Sequence, residues 1–350
     1  MKAIVVRSYG GPEALRLEDV DRPQPGNGEV LVKVRAVTVN RTRDLNVCAG
    51  QAGGPEALPL VPGQDPAGEI VEVGTGVLAS RAGQRVIVSS RLTCGECPAC
   101  KAGRGSDCPK SRHIGIHRWG GYAEYVAVPE GQAIPIADSL SFAEAAVAMR
   151  HFPMAYQQLR GKLEVQPGEW LLVMGASGGL GSACVQVAKL LGAKVIAGAG
   201  GDERVSVAMA LGADYGINYR REDLTKRVRE ITGGRGVDAI CENISDPTTF
   251  PAAFASLAIM GRLVTAGAHG GGTVPVNMKQ LYQSRQRILG SAGHDPLDIV
   301  KAMEGAGSGQ LKAKVDLVMP LDKLLEAFQL IHERKVAGKI VIDPHSRPAQ

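Results

Sequence analysis

Long apolar runs, aromatic side chains and clustered charge are scarce in this 350-residue chain. No stretch approaches the roughly 18 consecutive apolar residues that read as a membrane-spanning helix, so no membrane partner is expected. Basic residues exceed acidic ones only by 40 to 35, and the excess is diffuse with no long Lys/Arg run. A basic patch for nucleic acid is therefore not expected. Internal repeats and low-complexity segments are absent, which sets aside solenoids and disordered tails. No secretory signal is evident. The opening Met-Lys-Ala-Ile-Val-Val reads as a short strand, and a cytoplasmic location with reduced thiols is the expectation. Aromatics make up only 4% of the residues while glycine reaches 45, so tight turns and close backbone approaches should be common.

What is present divides in two. The length suggests about two domains, and 44% hydrophobic with 21% charged residues is ordinary for a globular protein. Valine-rich runs at Val30–Val39, Glu69–Val77 and Gln84–Ser89, broken by Pro-Gly and Gly-Thr-Gly turns, predict a β-rich, barrel-like first domain. From Glu169 apolar strands alternate with helices. Strands are predicted at Trp170–Met174, Lys194–Ala199, Tyr215–Asn218, Val237–Cys241, Arg262–Ala266 and Arg287–Leu289. Six of them match a complete doubly wound dinucleotide-binding sheet. The alternation stops near Gly293. One amphipathic helix is predicted over Leu321–Lys335 and a last strand over Lys339–Ile342, rejoining the first domain. The predicted domains are thus 1–151 with 294–350, and 152–293.

Cys94, Cys97, Cys100 and Cys108 lie in a C-x2-C-x2-C-x7-C spacing rich in turn residues. Four thiolates this close suit tetrahedral zinc with no open position, a structural metal. The competing reading is a disulfide pair; the other three cysteines are scattered, and no secretory context favours oxidation. The predicted lobe, over about 91–111, stabilises and performs no chemistry.

Strand Trp170–Met174 runs into Gly175-Ala-Ser177-Gly178-Gly179-Leu180-Gly181, with a helix expected to begin near Ser182. Gly178 lets the backbone approach a pyrophosphate, Gly181 lets helix and strand pack closely, and the opening amides of the helix face negative charge. The context, strand before and helix after, turns a weak glycine motif into a dinucleotide site. Past the second strand an NAD site would carry an acid on the ribose 2′-hydroxyl. Here stand Ala199-Gly200-Gly201, with Arg204 one turn on and Tyr219 after the third strand. These favour NADPH, although Asp202 and Glu203 are close by. Ala266 and Gly267, at the end of the fifth strand, and Lys339 complete the candidate cofactor contacts.

Read together, Tyr9-Gly-Gly-Pro-Glu-Ala-Leu15, Gly28-Glu-Val-Leu-Val-Lys-Val34, Val39-Asn-Arg-Thr-Arg-Asp44, Pro62-Gly-Gln-Asp-Pro-Ala-Gly68, Gly120-Gly-Tyr-Ala-Glu-Tyr125 and the cysteine lobe resemble the medium-chain dehydrogenase/reductase superfamily over essentially the whole chain. The nearest likeness is to its quinone oxidoreductase and enoyl reductase branches. The resemblance implies an α/β protein with a GroES-like catalytic domain, a Rossmann domain, a cleft between them for nicotinamide and substrate, and a homodimer or homotetramer.

Alcohol dehydrogenases of this superfamily usually hold a second, catalytic zinc. Matched to their motifs, the three ligand positions of this chain are Arg41, Gln64 and a place near Arg150, six residues before Tyr156. Guanidinium offers no lone pair, so this set cannot hold zinc; His151 and Cys48 fall short as substitutes. Without a Lewis acid, alcohol oxidation loses its activator. Hydride addition to a conjugated C=C needs only donors for the oxygen that gains charge. Asn40 matches a pocket amide of the reductase branches, and Arg41, Gln64 and Arg150 would stand beside it. Two arginines there would favour an anionic small-molecule substrate, unless Asp44 or Asp65 pairs with them. Asp44 also suits a capping role, and His117 and Trp119 either reach the site's mouth or stay on a surface loop. No proton donor stands out. The sequence thus favours an NADPH-dependent reductase of α,β-unsaturated carbonyl compounds or quinones. Its alternatives are an alcohol dehydrogenase and a non-catalytic NADPH-binding sensor.

Overall fold

The computed structural model describes residues 1–52, 58–333, 335–336 and 338–346. The chain forms two compact units, Met1–Arg150 with Met303–Gln350, and His151–Ala302.

The first unit opens with an antiparallel pair, β1 (Lys2–Val6) and β2 (Leu15–Asp19). Strand β3 (Glu29–Thr38) follows, ten residues whose valines are buried, because β-branched side chains fill a pleated core-facing surface well. Helix α1 (Arg41–Cys48) comes next, then β4 (Ala67–Val73), β5 (Arg85–Val88) and β6 (Arg91–Leu92). The cysteine lobe, including the short helix α2 (Pro98–Lys101), is inserted between β6 and its antiparallel partner β7 (Arg112–His113). Strands β8 (Tyr125–Pro129) and β9 (Ala133–Pro135) complete this stretch. Val30, Val32 and Val34 of β3 pack with Ile70, Val86, Val88, Val126 and Val128 into one core. Helix α3 (Phe142–Tyr156) then carries the chain onward into a π-helical turn at Gln157–Lys162.

The second unit contains β10 (Trp170–Met174), α4 (Gly179–Leu190), β11 (Lys194–Ala199), α5 (Asp202–Ala210), β12 (Tyr215–Asn218), α6 (Leu224–Ile231), β13 (Val237–Glu242), α7 (Phe250–Ala255), β14 (Leu257–Thr265), α8 (Met278–Gln283) and β15 (Arg287–Gly290). Its six strands are all parallel, in the order β12-β11-β10-β13-β14-β15. This is the dinucleotide-binding order, which reverses direction between β10 and β13 and opens a crevice at the strands' C-terminal ends. Leu172, Met174, Ile196, Ile217, Ile240 and Leu263 of the sheet meet Phe250 and Phe254 of α7 in the core.

Helix α9 (Pro296–Gly307) straddles the division between the units. The return therefore falls at Met303, later than position 294. Asp298, fully buried on α9, pairs with Arg160 at 2.9 Å and keeps the start of that helix in the second unit. Beyond it come β16 (Val315–Pro320), α10 (Leu324–His332) and β17 (Lys339–Asp343). Strand β17 pairs with β3 and β16, in the sheet order β16-β17-β3-β4-β5-β9 with β8 also on β3. The helix expected over 321–335 is shorter: Leu321–Lys323 form a 3₁₀ turn before α10, and position 334 lies outside the described residues. Leu324, Ala327 and Phe328 bury its apolar face.

Candidate active site and metal centre

The four cysteines converge. Their sulfur atoms all lie within 4.8 Å of one another, with Cys94 Sγ at 3.9 Å from Cys100 Sγ and 3.7 Å from Cys108 Sγ. Zinc–thiolate bonds of about 2.3 Å in a tetrahedron put sulfurs about 3.8 Å apart, so the set fits zinc without rearrangement. Backbone N–H groups of Cys97 and Glu96 aimed at Cys94 draw its thiol down, while burial and the neighbouring Cys97 push Cys100 up. Among the described residues this is the one group of three or more His, Cys, Asp or Glu side chains close enough to share a metal.

The glycine loop stands where β10 meets α4. The helix begins at Gly179, three residues before the expected start, and Gly178 is its N-cap, with no side chain bonding the free amides. Ser177 and Leu180 flank that turn and are half-buried. A Cβ on Gly181 would sit 2.1 Å from the carbonyl oxygen of Gly175, so only glycine lets the helix close on the strand. His151 packs on the same turn: a Cβ on Gly179 would meet its Nε2 at 2.7 Å. On the next loop Ser245 Oγ donates to the Gly267 carbonyl at 2.7 Å, which ties the β13 loop to Ala266 and Gly267 after β14. The uncapped amides and glycine cradle fit a dinucleotide pyrophosphate.

At the end of β11, Gly200 faces Tyr219 and Arg220; a Cβ there would lie 3.0 Å from Tyr219 Oη and 3.2 Å from Arg220 Nε. Arg204 is exposed on α5 and near enough to act on the Tyr219 phenol. Asp202, the acid that clouded the reading of the sequence, accepts from Asn218 Nδ2 at 2.6 Å and pairs with Arg221. Arg220 and Arg221 directly follow Tyr219 and had no motif to mark them.

In the first unit a polar cluster forms around Arg150. Asn40, buried at the N-terminus of α1, accepts on Oδ1 from Lys339 Nζ at 2.8 Å and donates through Nδ2 to Thr38 Oγ1 at 2.9 Å. Asp44 lies one turn on. It accepts from the Asn40 N–H at 2.8 Å and the Tyr122 hydroxyl at 2.6 Å, a cap for the first turn of α1. Burial pushes the Asp44 carboxyl up to about 6, against the bonds from Tyr122 and Asn40. Lys339 is brought down to about 8, first by burial and then by Arg150, with Asp44 and Asp65 opposing. Its ammonium sits beside Asn40, in the first unit. Arg150 is 3.7 Å from the buried carboxylate of Asp65, the partner foreseen for it.

The arginine on Gln64 is Arg43, whose Nε donates to Gln64 Oε1 at 3.4 Å. Arg41, at the first of the three ligand positions, opens the same helix, and two helical positions separate the directions of the two side chains by about 200°. The cluster extends to Arg91 and His113, directly opposite each other on β6 and β7. His117 accepts the His113 backbone N–H on Nδ1 at 2.9 Å, and the two rings stack with centroids 6.1 Å apart. The Trp119 indole donates to the Pro59 carbonyl at 2.9 Å. Neither His113 nor Arg91 belongs to a local motif, so only the fold brings them here.

Comparison with known proteins agrees with this architecture. A family model described as alcohol dehydrogenase GroES-like domain matches residues 26–138, and one described as zinc-binding dehydrogenase matches 179–306. The chain belongs to the medium-chain dehydrogenase/reductase superfamily, a family of oxidoreductases. It is 34% identical to an NAD-dependent alcohol dehydrogenase of Sulfolobus acidocaldarius over 98% of this chain and 99% of that one. It is 29% identical to the quinone oxidoreductase of Homo sapiens, covering 98% and 97%. Among solved structures, an NAD-dependent alcohol dehydrogenase superimposes with a TM-score of 0.91 at 37% identity, over 98% of this chain and 99% of that one. A crotonyl-CoA carboxylase/reductase in complex with NADP gives 0.87 at 25%, over 98% and 94%.

Proposed function

We propose that the protein is an NADPH-dependent reductase of α,β-unsaturated carbonyl compounds or quinones that works without a catalytic zinc, in the cytoplasm, as a homodimer or homotetramer on an anionic small molecule. One observation carries this reading. Where alcohol dehydrogenases place metal ligands, this chain has Arg41, Gln64 and Arg150, and the folded cluster there holds the cations Arg43, Arg150 and Lys339. Guanidinium and ammonium groups repel a metal ion but stabilise an oxygen that gains negative charge. A bound reduced nicotinamide supplies hydride to the electrophilic carbon. Asn40 and Lys339 meet the resulting enolate or phenolate oxygen, with Arg150 and Gln64 beside them. A lysine ammonium brought down to about 8 is well matched to give up a proton near neutral pH, and Lys339 is the proton source the sequence did not reveal. For the cofactor, Gly200 with Tyr219, Arg204 and Arg220 supports a 2′-phosphate, while Asp202 is turned to Asn218 and Arg221.

A second reading, alcohol oxidation with NAD, is favoured by the relatives' names. One set of measurements separates them: nicotinamide oxidation with an enone, a quinone and an acrylate, using NADPH and NADH in parallel, beside alcohol oxidation and metal analysis. Reduction of an enone or quinone with NADPH and about one zinc per chain is the expected result. Alcohol turnover with about two zinc ions per chain rejects the proposal.

A further inference from the structure

We propose that Gln158, Cys184 and Asn243 form a closed hydrogen-bonded ring that fixes the spacing of the two lips of the dinucleotide crevice. Gln158 and Cys184 are then positioning residues for the nicotinamide half of the cofactor. The inference rests on the reductase reading only for a nicotinamide cofactor being bound; the substrate does not enter it.

The ring joins three elements of the second unit. Gln158 belongs to the π-helical turn after α3, Cys184 lies in α4, and Asn243 directly follows β13. Gln158 Nε2 donates to Asn243 Oδ1 at 3.0 Å, and Cys184 Sγ donates to Gln158 Oε1 at 3.3 Å. Asn243 Nδ2 closes the circuit on Cys184 Sγ at 4.0 Å, its longest side. Gln158 and Cys184 are fully buried and Asn243 nearly so. Cys241, on β13, lies against Cys184; burial and that neighbour push its thiol well up, so it meets the ring uncharged. Buried polar groups cost free energy until they are paired, and apolar side chains of the same shape would fill the space without that cost. A fully paired network instead rigidifies its surroundings in one geometry. The π winding that carries Gln158 is itself rare and found mostly at functional sites.

The ring spans the switch point of the sheet. Strands β10 and β13 are neighbours there; α4 leaves β10 through the glycine loop, and Asn243 leaves β13. In such a sheet one mononucleotide half takes the adenosine and the other the nicotinamide. The lip on the α4 side carries Gly178 and the uncapped amides that fit the pyrophosphate. On the β13 side, a Cβ on Gly267 would lie 2.6 Å from the Asn243 carbonyl oxygen. Holding Asn243 therefore holds the candidate contacts Ala266 and Gly267 with it. Ser245, at a left-handed φ of 53°, ties the same lip through its bond to the Gly267 carbonyl. Across the switch point a Cβ on Gly175 would stand 3.2 Å from Ile244 Cγ1, so the exits of β10 and β13 approach closely. Pyrophosphate and nicotinamide then rest on different lips, and the spacing between the lips decides how the hydride-bearing carbon is presented.

The test uses the full-length zinc-loaded protein and needs no substrate. NADPH and its adenosine fragment, adenosine 2′,5′-bisphosphate, are titrated by calorimetry into the wild type, Gln158→Met, Cys184→Ala and the ring-preserving Cys184→Ser. NADH and ADP are run beside them. Affinity for whichever dinucleotide the wild type binds more tightly should weaken about tenfold in Gln158→Met and Cys184→Ala, and less than about threefold in Cys184→Ser. Affinity for the matching fragment should change less than about twofold in all three, which also shows that each is folded. If dinucleotide and fragment weaken together, the ring holds only the fold, and the proposal is overturned. It is equally overturned if the folded variants bind both as the wild type does, or if the wild type binds neither dinucleotide. Should Gln158→Met fail to fold, the contrast between Cys184→Ala and Cys184→Ser decides. A protein that shows the split yet reduces no enone or quinone keeps the ring and loses the reductase reading. One that reduces them with NADPH and shows no split keeps that reading and loses the ring.

Discussion

Lys339 carries the sharpest expectation at the scale of a single side chain. A general acid is active while protonated, so kcat/KM should be at its plateau below pH 8 and fall as pH rises through about 8. Lys339→Met should lower kcat by about 10² to 10⁴ and abolish that alkaline limb. Lys339→Arg keeps the charge but moves the limb out of the measurable range. If the residue only held a cofactor phosphate, KM for NADPH would rise with kcat untouched, and the rate profile would decide. Tyr122 offers a second test. Its hydroxyl supports the charged form of buried Asp44, so Tyr122→Phe should cost about 1–3 kcal/mol in chemical denaturation. The carboxyl's folded value is raised to about 6. The penalty should therefore grow as pH rises through 6 and shrink below it, where the proton replaces the lost donor.

Among elements, the glycine loop and the cysteine lobe fail in different ways. Gly181→Val pushes a branched side chain against the Gly175 carbonyl, 2.1 Å from where its Cβ would stand. NADPH affinity should drop at least about 100-fold by fluorescence titration, with the first unit's spectrum unchanged. Elements of this second unit were legible because strands buried on both faces read as unbroken apolar runs. Trp170–Met174, Lys194–Ala199 and Tyr215–Asn218 fall on the same residues in sequence and structure. Strand β14 starts at Leu257, earlier than expected, because Ile259 and Met260 are exposed and the next residue is a glycine. Strand β16 escaped notice as an edge strand with Leu317 and Val318 turned to solvent. The site was less legible for a different reason. Asn40, Gln64 and Arg150 are candidates through motif register, whereas Arg43, Arg91 and His113 come near one another only after α1 and the β6–β7 hairpin are folded together.

At the level of the whole molecule, the second unit ends on an unpaired edge, because β15 is the last strand of its sheet. Ile288 on that strand, with Met278 and Tyr282 on α8, is exposed. An open apolar edge invites a second copy. Ile288→Lys with Tyr282→Glu should shift the protein toward monomer in light scattering, and an unchanged mass would remove this edge from the assembly.

The lobe hangs from a stem of two residues on either side, β6 and β7, and that stem presents Arg91 and His113. A zinc ion on the four cysteines would be the clasp that closes the loop above it. Chelation of the metal should then loosen the hairpin that carries Arg91 and His113 while dinucleotide affinity, which belongs to the second unit, stays as it was in a fluorescence titration.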